Sequence, residues 1–202
     1  MKTDASECLR SVLDHLKGID YIKPEDIPNI ELYMDQVTTF MDEHLKSTKR
    51  YDSDKILTKT MINNYAKNDL LPPPVKKKYS KEHMLLLIFI YYFKNILSIT
   101  DIQSLLKPLT DKYFNSENGM NLQDIYNEVF GFEREQADCL MKDIMAEYKK
   151  SFSAFSDAPE EEKDFLHLFS FICILSFDVY VKKMLIEKLV DDISDSKKDK
   201  AK

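Results

Sequence analysis

Residues 57–84 read LTKTMINNYAKNDLLPPPVKKKYSKEHM, and this stretch decides how the chain is interpreted. The Thr58 hydroxyl can accept a hydrogen bond from an amide in the turn that follows it, which predicts a helix N-cap. The three prolines at 72–74 end that helix, because proline fixes φ and has no amide hydrogen. A basic segment at 76–79 follows, and Ser80 is placed to cap a second, longer helix. The stretch therefore predicts two helices joined by a short basic ribbon or loop.

The first of these helices has two different faces. Met61, Ile62 and Tyr65 are predicted to pack inward at helical spacing. The outward side chains are long or carry amides, and such groups can hydrogen-bond to phosphates and base edges of duplex DNA. The predicted DNA-binding residues are Thr58, Lys59, Thr60, Asn63, Asn64 and Lys67 on the helix, and Lys76, Lys77, Lys78 and Tyr79 in the basic segment.

Charge is distributed unevenly along the chain. The formal net charge is -6, which by itself argues against a nucleic-acid partner. Residues 49–83 nevertheless contain nine basic and four acidic side chains, so the acidic excess lies in the rest of the chain. The lysine triplet within this segment is compatible with a solvated loop. Its position between a capped helix and Tyr79 favours contact with phosphates.

Composition and apolar spacing predict helices over most of the remaining chain. Only three of the 202 residues are glycine and none is tryptophan, which disfavours a β-sandwich or barrel. The last predicted helix is apolar nearly all round between 165 and 180, so we expect it to be buried. The predicted helices cover residues 6–17, 30–45, the segment from Ser80, a shorter segment capped by Ser98 or Thr100 and ended by Pro108, and residues 122–130, 133–150 and 159–193.

The sequence contains no pattern typical of an enzyme, a metal site or a membrane protein. Cys8, Cys139 and Cys173 are scattered, so they indicate neither disulfides nor zinc, and the last two are expected to be small buried groups. There is no glycine-rich phosphate loop or nucleophile motif, and we expect no catalytic residues, metal or cofactor. The first residues do not resemble a signal peptide, and no apolar run reaches a membrane span uninterrupted. We therefore expect a cytoplasmic protein without a membrane partner.

The central stretch resembles the MerR class of winged helix-turn-helix domains. That class has a capped recognition helix ending in tyrosine, paired leucines before a proline, a basic wing closed by tyrosine, a long helix and a short helix. The matching residues are Thr58 to Tyr65, Leu70-Leu71-Pro72, the segment 76–79, the helix from Ser80, and Ser98-Ile99 leading to Leu106. Together with LYMDQVTTFMDEHL at 32–45, the stretch also resembles the DUF1836 proteins, a bacterial family generally regarded as candidate transcriptional regulators.

These resemblances imply an all-α, mainly helical fold with a MerR-like winged helix-turn-helix, a small β wing and a C-terminal helical bundle. Two positions depart from the MerR pattern. Asn63 stands where an arginine is usual, and Asp69 stands where a glycine precedes the paired leucines. The implied divisions are 1–29 (N-terminal helix and connector), 30–108 (winged helix-turn-helix), 109–193 (helical dimerisation or sensory region) and 194–202 (disordered tail).

The interpretation that follows is a sequence-specific transcriptional regulator that binds double-stranded DNA as a homodimer. The recognition helix would enter the major groove, and the wing lysines would hold adjacent phosphates. The alternative is a helical protein-interaction module that keeps the winged scaffold but does not bind DNA, and Asn63 supports it. The sequence identifies no small-molecule effector, target gene or dimer geometry.

Overall fold

A computed structural model describes residues 5–17, 21–116 and 119–200. In these residues the chain is mainly helical, as predicted, and its strands form a single two-stranded sheet. The helices are α1 (Ala5–Lys17), α2 (Met34–Leu45), α3 (Lys59–Lys67), α4 (Lys81–Phe93), α5 (Ile99–Tyr113), α6 (Leu122–Gly131), α7 (Glu133–Ser151) and α8 (Glu160–Lys200), and the strands are β1 (Leu32–Tyr33) and β2 (Lys78–Tyr79).

The chain divides into two compact units. The central unit contains Ile22–Phe130 and the described residues from Ile186 onward. The terminal unit contains the described residues up to Tyr21 and Gly131–Leu185. The predicted DNA-binding residues, between 58 and 79, all belong to the central unit.

Helix α4 forms the core of the central unit. The nine residues 83–91 are all buried, as expected for a segment that reads HMLLLIFIY. The Phe89 ring lies 5.4 Å from the rings of both Tyr126 and Phe130. The Tyr126 hydroxyl donates to the Ile22 carbonyl at 2.7 Å, so this buried phenol also has a polar partner. These contacts tie α6 and the start of the unit to α4.

The two-stranded sheet changes the predicted start of α2. Leu32 pairs with Tyr79 and Tyr33 with Lys78 in antiparallel register. The helix predicted from Ile30 therefore begins at Met34, where the Tyr33 amide donates to the Gln36 side chain at 2.8 Å. Pairing with a strand more than forty residues later overrides the local helical pattern.

The predicted end of α5 at Pro108 is wrong, because the helix continues to Tyr113. Proline removes one amide donor, but its fixed φ is compatible with helix. Ile102 and Leu106 are buried on the inward face, and Lys107 and Asp111 form an ion pair across the following turn. The buried side chains hold the turns that precede Pro108, and the exposed ion pair adds at most about 1 kcal/mol in the turn that follows it.

In the terminal unit, α8 packs against α7 through only part of its circumference. The Phe171 ring lies 5.3 Å from Tyr148, and the His167 ring lies 4.7 Å from Phe152. The expectation that residues 165–180 are buried is wrong for the chain as described, since most of their large apolar side chains are exposed. Apolar composition required a cover for this helix, and α7 supplies only one side of it.

Two further expectations for the C-terminal region are corrected. Cys139 of α7 and Cys173 of α8 are exposed, because each lies on a side of its helix that faces away from the other helix. Helix α8 continues past Ile193 to Lys200, although residues 194–202 were expected to lack structure. The lysines at 197, 198 and 200 favour helix and accompany the extension of α8. Residues 201–202 lie outside the described part of the chain.

Helix α8 is also long and apolar enough, over Glu160–Ser196, to cross a membrane by length and composition. Its richest 18-residue window has a mean hydropathy of 1.6, and 6% of that window is buried. The sequence had predicted no membrane span. An apolar helix that another protein covers can have the same length and composition.

Candidate nucleic-acid interface

Helix α3 begins where its cap was predicted. The Thr58 Oγ1 accepts a hydrogen bond from the Met61 amide at 3.2 Å, and Ile62 and Tyr65 are buried on the inward face. Met61 is 36% exposed, so its predicted inward position is wrong, and it lies at the edge of the outward face. The residues exposed on α3 include the predicted contacts Lys59, Thr60, Asn63, Asn64 and Lys67, while Thr58 is half-buried at the cap.

The backbone at the end of α3 has a conformation that favours glycine, although the residue there is Asp69. Asp69 has φ +54°, the left-handed conformation that favours glycine. The amides of Leu70 and Leu71 both donate to the Tyr65 carbonyl, at 2.9 and 3.3 Å, and both leucine side chains are buried. The backbone at Asp69 thus turns the paired leucines into the core.

The basic segment forms a tight hairpin, here called the basic hairpin and defined as residues 75–79. The Lys78 amide donates to the Val75 carbonyl at 2.9 Å, which leaves Lys76 and Lys77 as the two-residue loop. Their φ values are +49° and +64°. Positive φ at both loop residues is the pattern of a type I′ turn, where Asn-Gly is the favoured pair. Both lysines are exposed, so the turn projects two ammonium groups from its tip.

Residues 31–35, which include β1 and the start of α2, contact both α3 and the basic hairpin. Asp35 forms an ion pair with Lys59 of α3. Glu31 lies 3.6 Å from the Lys78 ammonium, which also sits 5.6 Å from the centre of the exposed Tyr33 ring. Two predicted phosphate-binding lysines therefore have carboxylate neighbours in the free protein. No local sequence pattern indicated these neighbours. Glu31 reaches Lys78 through the β1–β2 pairing, and Asp35 reaches Lys59 through the contact of α2 with α3.

Tyr79 does not belong to the exposed set. Its side chain is 2% exposed and its ring lies edge-on, 5.5 Å from His83. Burial raises the pKa of the Tyr79 phenol above its ordinary value. Alternation along β2 explains the difference, since Lys78 and Tyr79 point to opposite sides of the strand. Tyr79 anchors the basic hairpin to the core and is removed from the predicted contacts.

His83 lies beneath this anchor. The Ser80 amide donates to Nδ1 at 3.0 Å, so the neutral ring carries its proton on Nε2, which has no hydrogen-bond partner among the described residues. Burial lowers the pKa of His83, while the nearby Pro73 and Pro72 carbonyls and Glu31 act less strongly in the opposite direction. The two carbonyls lie near the ring without forming a hydrogen bond to Nε2. His83 thus serves as a neutral cap and packing residue.

The described residues bring together no three His, Cys, Asp or Glu side chains that could hold a metal ion. What the central unit does present is a set of exposed polar side chains on α3 and two exposed lysines on the basic hairpin. Both elements flank the segment from Glu31 to Asp35. Such groups can bind anions and hydrogen-bond to base edges.

Comparison with known proteins identifies one family. The model of the family described as "Domain of unknown function (DUF1836)" matches residues 22–129. The match coincides with the first part of the central unit, Ile22–Phe130. No curated protein and no solved structure matches the chain.

Proposed function

We propose that the chain, which belongs to the DUF1836 family, is a DNA-binding transcriptional regulator with a MerR-like winged helix-turn-helix. In this proposal α3 is the recognition helix, the basic hairpin is the wing, and the regulator acts in the cytoplasm as a homodimer. The observation that carries the proposal is the lysine pair in the left-handed loop of the basic hairpin.

The backbone of this loop makes lysine an unfavourable choice. A non-glycine residue in the left-handed region loses about 1–2 kcal/mol relative to an ordinary conformation. Asn-Gly would reverse the chain with less strain. Lys76 and Lys77 instead place two charges at the tip, where a polyanion can reach them. Strain of this kind concentrates at functional positions, which supports a phosphate-binding role for the hairpin.

The exposed face of α3 supplies groups suited to the major groove. Asn63 and Asn64 carry amides that can pair with adenine edges, and Lys59 and Lys67 can reach phosphates. Asn63 replaces the arginine that the MerR pattern would place there. We therefore expect base readout to rest on amide contacts and on DNA shape more than on guanine contacts.

A nine-residue recognition helix can contact few base pairs, which is the reason for proposing a homodimer. Two copies on a symmetric site would multiply affinity and specificity. If each subunit neutralises about four or five phosphates, log affinity should fall against log salt with a slope on the order of -8 for the dimer.

The test begins with selection of genomic DNA fragments by the purified full chain, followed by fluorescence anisotropy on an enriched duplex. Lys76→Glu/Lys77→Glu should reduce the salt slope by about 4 and weaken binding by at least roughly 100-fold, since a dimer loses four phosphate contacts. The matched control is Lys149→Glu/Lys150→Glu, an exposed lysine pair on α7, which should bind like the unmodified chain. Equal binding by both variants would remove the hairpin from the interface.

A protein-interaction module is the second candidate function. The carboxylates of Asp35 and Glu31 beside Lys59 and Lys78 favour it, because they already occupy positions that phosphates would take. Recovery of a recurrent palindromic sequence in the fragment selection would exclude this candidate. Failure to enrich any fragment at low salt would favour it.

A further inference from the structure

The proposed function leaves the exposed apolar surface of α8 unused. Phe165 is 68% exposed, Phe169 and Ile172 are each 51% exposed, and Val179 is 64% exposed. Scattered single apolar residues on a surface are ordinary, but a contiguous apolar strip on a soluble chain indicates an interaction site. We call the strip formed by residues 165, 169, 172, 176 and 179 the α8 seam; all are apolar except Ser176.

The spacing of the α8 seam is that of a coiled coil. Its steps are four, three, four and three residues, the alternation that keeps one stripe facing a partner helix. Phe171 and His167, which contact α7, lie on a different side of α8. The seam is therefore available while α8 remains packed against α7.

Charge at the two ends of the seam indicates both the partner and its direction. Glu160, Glu161, Glu162 and Asp164 precede the seam, whereas Lys182 and Lys183 follow it. Two parallel copies would place like charges side by side, and two antiparallel copies would place each acidic end against a lysine pair. Glu160 and Lys182 also have partners within their own helix, Lys163 and Asp178. We therefore expect the charges to set orientation more than affinity.

A lipid bilayer fits the same helix less well. Asp178 lies within the apolar stretch, and four acidic residues stand at its start, where anionic headgroups would repel them. A helix-shaped partner with matching apolar spacing and opposite charge polarity satisfies all of these features. A second copy of this chain has both properties.

We propose that a second copy of this chain covers the α8 seam, with the two α8 helices running antiparallel. This inference rests on the homodimer of the proposed function and names its contact surface. The apolar side chains at 165, 169, 172 and 179 would interdigitate with those of the partner copy, and Ser176 would allow close approach of the helices near the middle.

Cys173 provides a built-in test of direction. It follows Ile172 near the middle of the seam, it is exposed, and it occupies a position that flanks the seam. In an antiparallel pair, the equivalent positions beside the seam on the two helices face each other across the dimer. In a parallel pair, the two Cys173 residues lie on opposite sides of the dimer. Diamide oxidises a pair of neighbouring thiols to a disulfide by accepting two electrons and two protons. Because the two thiols must lie close together, only an antiparallel dimer should form a Cys173 to Cys173 disulfide.

The experiment is sedimentation equilibrium of the full chain at micromolar concentration. The unmodified chain should have the mass of two copies, and Phe169→Glu/Ile172→Glu should weaken self-association by at least roughly 100-fold with unchanged helical circular dichroism. The matched control is Ile30→Glu/Val129→Glu, two exposed apolar residues outside α8, which should remain dimeric. A Cys8→Ser/Cys139→Ser chain treated with diamide should run as a covalent dimer on a non-reducing gel.

Three results would overturn the inference: a monomeric unmodified chain, a dimer without the Cys173 crosslink, or a chain that floats with vesicles of mixed neutral and anionic lipids. Failure of the seam is distinguishable from failure of DNA binding. A monomer that still enriches one DNA sequence contradicts the homodimer and its seam but leaves DNA binding intact. A dimer that enriches no sequence contradicts only the proposed regulator.

Discussion

Residues 83–91 of α4 and residues 165–180 of α8 are both apolar nearly all round, yet their environments differ. Residues 83–91 of α4 are all buried by the chain itself. Residues 165–180 of α8 contact α7 along one side and expose most of their remaining large side chains. Apolar patterning therefore predicts that a surface must be covered, but it does not predict which molecule covers it.

The elements that pack on each helix account for the difference. Helix α4 is flanked by β2, α5 and α6, and side chains such as Tyr126 close over it. In the part of the chain that the structure describes, the ring contacts between α8 and α7 involve His167 and Phe171, which lie on a different side of α8 from the seam. The apolar side chains of the seam stay exposed, which is consistent with assembly.

The largest expected effect is a difference in the free energy of unfolding between one truncation in α4 and one in α8. Leu86→Ala in α4 removes a side chain with no exposed area and should lower the free energy of unfolding by about 2–5 kcal/mol. Ile172→Ala in α8 should change it by less than about 1 kcal/mol at concentrations where the chain is monomeric, because half of that side chain is already exposed. Urea denaturation with dilution measures both. Equal losses in dilute solution would mean that α8 is covered within one chain.

A second prediction concerns the strained loop of the basic hairpin in the central unit. Lys76→Asn/Lys77→Gly places the favoured pair in the left-handed turn and should raise the free energy of unfolding by about 1–2 kcal/mol. The same variant should bind DNA more weakly, because it loses the charges at the tip. Thermal unfolding and anisotropy on one preparation give both values. A less stable variant would contradict the left-handed assignment of this loop.

The pH dependence of stability should come from His83 in the central unit. Because burial lowers its pKa, the unfolded chain binds a proton that the folded chain does not, at pH values below the ordinary histidine pKa of about 6.5. Stability is then complete above that pH and falls as the pH decreases, with a slope of at most about 1.4 kcal/mol per pH unit. Burial of Glu82 raises its pKa and acts in the opposite direction at lower pH.

Denaturation between pH 5.5 and 8 tests this dependence. His83→Gln should remove most of the slope, and its amide can still accept from Ser80 as in an ordinary capping box. His44→Gln, which changes an exposed histidine on α2, is the control and should keep the slope. A slope that survives His83→Gln would assign the titration to another group.

The smallest expected effect concerns the carboxylates beside the predicted phosphate contacts. Asp35→Asn frees Lys59 from an exposed ion pair worth at most about 1 kcal/mol, so DNA affinity should rise by roughly two- to fivefold. Anisotropy at low salt measures the change. Asp157→Asn, in the terminal unit, is the control and should leave affinity unchanged. Lower affinity in Asp35→Asn would argue that Asp35 organises the interface.

Local features of the central unit followed closely from the residues. The cap at Thr58, the cap at Ser80 and the cap at Ser98 lie where their hydroxyls predicted helix starts, because capping involves only the next turn of backbone. The exposed face of α3 also agreed, with the exception of Met61. These predictions held because the interacting groups are separated by no more than one helical turn.

Predictions that depended on distant segments were less successful. Tyr79 faces the core because β2 pairs with β1, and that pairing also brings Glu31 to Lys78. Neither strand is longer than two residues, so no alternation pattern could indicate the register. The left-handed backbone at the lysine pair was likewise hidden, since lysine does not favour it.

The sequence by itself determined the helical class, the places where most helices begin, and the concentration of positive charge between residues 49 and 83. Each of these depends on composition or on groups that are neighbours along the chain. The tertiary structure decided which apolar helix is covered, which side of β2 carries Tyr79, and which carboxylates stand beside the lysines. Those outcomes depend on contacts between segments far apart in the chain, whose geometry no local pattern specifies.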